Sequence, residues 1–328
     1  MREGIALTAF TARGKALAER LKAELGGTVR TEEDLADWTQ AAFNAREALI
    51  FVGAAGIAMR SVAPYIRSKA TDPAILCVDE TGHWVIPLLS GHLGGANALA
   101  LRVAALTGGE AVITTATDLN GLFAVDLWAK KQGMTVLQPE RIKQVSAGLL
   151  RGEDIVVDCP YPVTGNIPEH VCLGSPGDVL VSYRKTDSDA LQLVPRVLTL
   201  GVGCKRGTSS DTLEQAFKAF CTERGILPMA FTSAASIDLK RDEAGLLRFC
   251  KAHGWPLHFY SAEELRGAEG AFTASAFVES VIGVDNVCER AAALSAGGRL
   301  VERKYVRDGV TFAAAVHYVN YEWSWQDG

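Results

Sequence analysis

The sequence of 328 residues has no apolar run long enough for a membrane helix. The longest, Ala48 to Met59, has 12 residues with two glycines among them, whereas a spanning helix needs roughly 20. No Cys-x-x-Cys pair occurs, and the seven cysteines, an odd number, lack zinc-site spacing. Reduced thiols are therefore expected in place of a disulfide framework or a metal centre. A basic surplus is also missing. The 33 Lys and Arg against 38 Asp and Glu give a formal net charge of −5, which argues against a protein that coats nucleic acid, since neutralising phosphates takes excess cations. A local basic patch stays compatible with that balance. Met1 to Phe10 is only briefly apolar, and Arg13 and Lys15 follow without a small-residue cleavage pattern, so no secretory signal is expected and a soluble, cytoplasmic protein is.

What is present is a globular composition, 48% hydrophobic and 22% charged with 32 glycines, which excludes disordered, collagen-like and coiled-coil chains. The first third alternates short apolar runs, polar or glycine turns and amphipathic stretches, the pattern of α/β architecture with a largely parallel sheet. Strands are expected at 4–8, 48–52 and 74–78, with a hairpin partner at 84–88 and a further strand at 111–115; helices are expected at 13–25 and 98–106. From Gly133 to about Val194 prolines interrupt the pattern, and only 154–157 and 179–183 read as strands. A second α/β unit follows, with strands at 196–202 and 257–260, helices near 210–224, 243–252 and 289–295, and a hairpin around Asp308-Gly309. The expected fold is α/β: two three-layer α/β domains, residues 1–130 and 194–320, joined by a small middle module, 131–193. The residues from Tyr321 onward are expected to fray.

Four segments could carry chemistry. In Gly201-Val202-Gly203-Cys204-Lys205-Arg206-Gly207, glycines let the backbone turn tightly beside a ligand, and the following helix start and two cations favour an anion. The glycine spacing fits neither a dinucleotide fingerprint nor a Walker loop, so an ordinary nucleotide is disfavoured; a plain strand-to-helix turn with two solvated cations is the competing reading. Cys204 beside these cations is expected to have a lowered pKa, although a small packing residue is the commoner role. In Ser90-Gly91-His92-Leu93-Gly94-Gly95-Ala96-Asn97, small neighbours leave an imidazole accessible as a general acid or base, or as a plain helix cap. Asp79, Glu80 and the run Thr114-Thr115-Ala116-Thr117-Asp118 end strands of the same unit; if those strands are parallel, their carboxyl ends share one crevice. His92, Glu80 and Asp118 would then meet there, unless the carboxylates are ordinary turn residues.

The Asp79-Glu80-Thr81-Gly82, Leu88 to Asn97 and Val112 to Asp118 segments, followed by Gly201 to Gly207, Asp238-Leu239-Lys240, Ser261 to Leu265, Gly283-Val284 and Glu289, resemble the cobalt-precorrin-5A hydrolases, the CbiG proteins of anaerobic cobalamin biosynthesis. Their C-terminal part is shared with a shorter protein of the aerobic pathway. The resemblance covers most of 48–128 and 196–316; Pro87 and the proline-free Phe272 to Ser275 stretch depart from the family pattern. It implies opening of the ring A δ-lactone of cobalt-precorrin-5A and loss of the C20 bridge as acetaldehyde, giving cobalt-precorrin-5B.

On that reading His92 activates water and Glu80 or Asp118 orients it, while amides at Gly94 and Gly95 hold the tetrahedral oxygen. Ser90, Gly91, Asn97, Thr114, Thr115, Gly203, Cys204, Lys205, Arg206 and Gly207 bind substrate, with Lys205 and Arg206 taking its carboxylates. No dissociable cofactor is expected, because the substrate brings its own cobalt. Expected partners are the cobalt-tetrapyrrole substrate and, transiently, other enzymes of that pathway, with no nucleic acid and no membrane; the oligomeric state is left open. A carrier that holds a cobalt-tetrapyrrole without chemistry is the alternative, and a histidine with carboxylates speaks against it.

Overall fold

The computed structural model describes residues 4–68, 71–92, 94–115 and 120–325. Sheets of six, five and five strands follow one another along the chain, with a two-stranded pair besides. The first contains β1 (Ile5–Ala9), β2 (Thr28–Val29), β3 (Ala48–Val52), β4 (Ala74–Val78), β5 (Trp84–Leu89) and β6 (Glu110–Ala111), in the order β2-β1-β3-β4-β5-β6. β3 and β4 are buried throughout, as continuous apolar strands covered on both faces should be. Alternate residues serve opposite cores. Leu7, Ile50 and Leu76 pack with Leu17 and Leu21 of α1 (Ala12–Leu25) and Val103 of α4 (Ala96–Thr107). Ala6, Leu49 and Ile75 pack instead with Trp38 and Phe43 of α2 (Leu35–Ala45) and Val62 of α3 (Ala55–Val62).

The direction of β5 determines where the polar loops go. β1, β3 and β4 are parallel, but β5 returns antiparallel, with Val78 opposite Val85 and Ile75 opposite Leu89. β6 runs parallel to β5. The carboxyl end of β5 therefore lies where β4 begins, about 13 Å from where it ends, at about 3.3 Å per residue; β6 pairs only with Trp84 and Val85 at the start of β5, and the chain beyond it runs on until Thr115 meets Asn97. One crevice gathering all the polar strand ends does not form: Asp79 and Glu80 sit at one end of the sheet, the loop after β5 and Thr114-Thr115 at the other. Asp118 lies outside the described residues. The strand expected at 111–115 is shorter, because only Glu110 and Ala111 enter the ladder.

The middle of the chain is more than a link. β7 (Thr135–Val136), β8 (Ile155–Asp158), β10 (Val171–Leu173), β11 (Val179–Val181) and β12 (Leu191–Val194) form a sheet in the order β10-β8-β11-β12-β7, and β9 (Val163–Thr164) pairs separately. Strands of two to four residues show little period between prolines, which is why so few were legible. The core of this sheet takes in Trp128 and Ala129 of α5 (Val125–Lys131) and Val145 and Leu149 of α6 (Ile142–Leu150), together with Tyr321 and Trp323. Within the tail expected to fray, Tyr321 to Trp323 are held. β18 (Tyr321–Glu322) pairs with β9, and Trp323, only 5% exposed, stacks on Trp128 with ring centroids 5.1 Å apart.

The last sheet has β13 (Leu198–Cys204), β14 (Phe231–Ile237), β15 (Leu257–Tyr260), β16 (Arg299–Arg307) and β17 (Val310–Val316) in the order β15-β14-β13-β17-β16. Asp308 and Gly309 join β16 to β17, both at positive φ, as a two-residue hairpin turn requires. On one face lie α7 (Ser210–Arg224) and α8 (Ala244–His253), on the other α9 (Ala262–Gly267) and α11 (Cys288–Ala296), with α10 (Ala276–Ile282) between them in sequence. All seven cysteines are free, and among the described residues no helix is long and apolar enough to cross a membrane.

Candidate functional site

Between β5 and α4 the chain folds tightly on itself. The Ser90 carbonyl accepts the Ala96 N–H at 3.1 Å, the Gly91 carbonyl that of Asn97 at 3.0 Å, and the His92 carbonyl that of Gly95 at 2.9 Å. The glycines make this possible. A Cβ on Gly94 would collide with the Ser90 side chain, one on Gly91 would lie 2.8 Å from Asn97 Oδ1, and Gly95 has a φ of 83° that favours glycine. Asn97, nearly buried, donates from Nδ2 to Thr115 Oγ1 at 3.2 Å, which draws the segment after β6 onto the loop; Thr114 beside it is exposed. The Gly95 amide expected to hold an oxyanion is thus committed to His92's own carbonyl.

Among the described residues the carboxylate beside His92 is Asp126, not Glu80. His92 Nδ1 lies 3.4 Å from Oδ2 of Asp126, on α5, whose side chain is 5% exposed. Burial works to raise the Asp126 pKa, but the hydrogen bond and charge of His92 and the Leu127 N–H outweigh it and hold the carboxyl below its ordinary value. One turn further along α5, the Lys130 ammonium approaches Gly95, within 3.5 Å of where a Cβ would stand. Asp126 and Lys130, four apart, share one face of the helix. Sequence reasoning missed both, because α5 is only seven residues long and carries no recognisable motif. Glu80, at the far end of the sheet, is exposed and accepts a 2.7 Å hydrogen bond from Thr11, the residue that caps α1.

The glycine loop after β13 is built differently from expectation. A Cβ on Gly201 would strike the Cys288 carbonyl, and one on Gly203 would strike Thr311, so both glycines admit neighbouring chain, and Gly203 also borders the cavity beside it. The Gly207 N–H donates to buried Glu243 at 2.7 Å, and Ser209 caps α7 through the Thr212 N–H. What remains for an anion is side-chain charge around a cavity of roughly 470 Å³ lined by Lys205, Arg206, Lys240 and Lys304, with Ile237, Leu239 and Val287 as apolar wall. Arg206 lies 3.3 Å from Asp242 and Lys240 3.4 Å from Glu243. Lys240 stood in a family segment without a role, and Lys304 carried no signal at all. The Cys204 thiol lines the same cavity, and burial pushes its pKa up; the pull of Lys240 is opposed by Glu243. The expected activated thiol is therefore not built. Cys204→Ala should leave the turnover number within about twofold, and iodoacetamide should inactivate the protein only above the ordinary thiol pKa of about 8.5; inactivation with a neutral midpoint would contradict this.

Both regions fall inside matches to known sequence families. Residues 37–118 match the family "Cobalamin synthesis G N-terminal", and residues 198–315 match "Cobalamin synthesis G C-terminus". A cobalt-precorrin-5A hydrolase of Salmonella typhimurium is 34% identical over 96% of this chain and 98% of its own length. One of Priestia megaterium is 32% identical over 84% of this chain and 79% of its own. The chain belongs to the cobalt-precorrin-5A hydrolase family of cobalamin biosynthesis. Protein CobE of Sinorhizobium is 29% identical over 36% of this chain and 79% of its own length. Within this chain the His92 loop lies in the N-terminal match and the cationic cavity in the C-terminal one, whereas α5, which supplies Asp126, lies outside both.

Proposed function

We propose that the chain hydrolyses the ring A δ-lactone of cobalt-precorrin-5A and releases the C20 fragment as acetaldehyde, leaving cobalt-precorrin-5B. The observation that carries this reading is the 3.4 Å pair of His92 and buried Asp126 at a glycine-opened loop, in a chain of this hydrolase family. A half-buried imidazole held by an ionised carboxylate suits a general base. Water adds to the lactone carbonyl as its proton passes to His92; the acyl–oxygen bond breaks, and the freed ring oxygen takes a proton. When that oxygen's proton is removed again, the fragment leaves as acetaldehyde, and the electrons of the broken carbon–carbon bond stay on the macrocycle, which is reprotonated. Asp126 fixes the ring orientation and balances the imidazolium.

The cavity of the last sheet suits the other half of the task. A modified tetrapyrrole has apolar faces and several carboxylates at its rim; Lys205 and Lys304, for which no acidic partner is found among the described residues, would take rim carboxylates, and Leu239, Ile237 and Val287 would meet an apolar edge. Cobalt arrives with the substrate, and the proposal calls on no dissociable cofactor. The setting proposed is the cytoplasm.

The purified protein, incubated anaerobically with cobalt-precorrin-5A, should release acetaldehyde without added nucleotide. Tight binding without release would identify a carrier instead. Lys304→Met should raise KM about tenfold, the equivalent of ~1.4 kcal/mol, with kcat kept; an unchanged KM would remove the cavity from the substrate path.

A further inference from the structure

The reading above leaves one group of the loop without a task. Ser90 has a φ of 59°, in the left-handed region that non-glycine residues rarely occupy. It is 7% exposed, and among the described residues its Oγ has no hydrogen-bond partner. A strained backbone and an orphaned buried hydroxyl each cost stability, and native proteins keep such features where a ligand completes them. The tight loop accounts for the backbone, but it gives the hydroxyl no partner. The carbonyl of Ser90 is engaged by Ala96, but the hydroxyl takes no part in the hydrogen bonds that close the loop, and a Cβ at Gly94 would fall on the Ser90 side chain. A small neighbour and a free donor thus stand two residues from His92.

We infer that the Ser90 hydroxyl donates a hydrogen bond to the lactone carbonyl oxygen, and strengthens it as that oxygen takes up negative charge when water adds. The role rests on the lactone-opening reading. It also adds a donor where one of the two amides assigned to this oxygen from the sequence, those of Gly94 and Gly95, is taken, since the Gly95 N–H already donates to the His92 carbonyl. Ser90 keeps its proton throughout and forms no bond to the substrate carbon. The proton from water goes to His92, which bears the acid–base work. The hydroxyl is buried in the free protein, so the loop has to shift to admit the carbonyl, but no internal hydrogen bond of the hydroxyl is broken when it does.

The test compares Ser90→Ala and Ser90→Gly with the unmodified protein on cobalt-precorrin-5A. Removing one such donor should lower kcat about 10²–10³-fold, with KM within a few-fold and the pH dependence of kcat/KM unmoved. Ser90→Gly, which removes the orphaned hydroxyl and relaxes the positive φ, should be at least as thermally stable as the unmodified protein and as inactive as Ser90→Ala. A structural role would show the reverse, lost stability with kcat retained, and would overturn the inference. So would a substrate-mass adduct on Ser90 in quenched reactions, which would make the serine a nucleophile. If the unmodified protein releases acetaldehyde and both variants match it, only the Ser90 inference fails; if the unmodified protein releases none, the lactone-opening reading fails and takes the inference with it.

Discussion

His92→Ala should lower kcat for acetaldehyde release about 10²–10⁴-fold, the usual contribution of a positioned general base. The protein should stay folded. The ring is half-buried, and the hydrogen bonds that close its loop run between backbone groups of residues 90–97, so they survive loss of the imidazole. Asp126→Asn should reproduce a large part of the loss, because an amide facing Nδ1 can present an N–H where the carboxylate presented an acceptor, and it cannot balance an imidazolium. Anaerobic single-turnover kinetics would measure both. If His92→Ala retains more than about a tenth of kcat, the base lies elsewhere, since even the low end of general-base catalysis is about a hundredfold.

The pH dependence follows from the same pair. Burial disfavours the charged form of Asp126, yet His92 and the Leu127 N–H hold its pKa below the ordinary carboxylate value. A carboxyl depressed in the folded state contributes stability that is fully present above its unfolded pKa and is lost as pH falls through the folded one. Near neutrality Asp126 therefore stays ionised. The acid limb of kcat/KM in that range should belong to His92 and disappear from the residual activity of His92→Gln.

Much of this was legible in the sequence because local chemistry repeated the fold. The run Ala48 to Val52 read as a buried strand and is one, buried on both faces, and the helix expected near 210–224 forms at Ser210–Arg224. His92 stood out for its glycines, which are needed to fold the loop over the start of α4. Glu80 did not join it because the shared crevice required parallel strands, whereas β5 returns antiparallel to β4, as the hairpin expected at 84–88 already implied, and carries its carboxyl end to the opposite end of the sheet. Asp126 was invisible for a related reason, as it reaches His92 through tertiary packing across 34 residues of chain. The glycines of the Gly201 to Gly207 loop were read as making room for a ligand when two of them make room for Cys288 and Thr311. A sequence shows that a side chain is absent, and the fold alone shows what fills the space.

Trp323→Ala should have the largest effect on stability and should also reach the chemistry. Removing a buried Trp costs about 3–5 kcal/mol, which at about 2–4 °C per kcal/mol for a body of 150–250 residues is on the order of 10 °C in Tm. The indole stacks on Trp128 at 5.1 Å with the rings 18° from parallel, and Trp128 Nε1 donates to the Glu322 carbonyl at 2.8 Å. Trp128 belongs to α5, the helix that carries Asp126, and α5 is only seven residues long, too short to hold its shape without tertiary packing. Loosening the tail should therefore let Asp126 drift from His92 and lower kcat, with KM for the substrate moved less. Trp323→Phe, which keeps an aromatic face on Trp128, should recover most of both Tm and kcat. If Trp323→Ala lowers Tm while kcat at a permissive temperature stays unchanged, α5 is held by its contacts with the middle sheet alone, and the tail is a support for the fold without a share in placing Asp126.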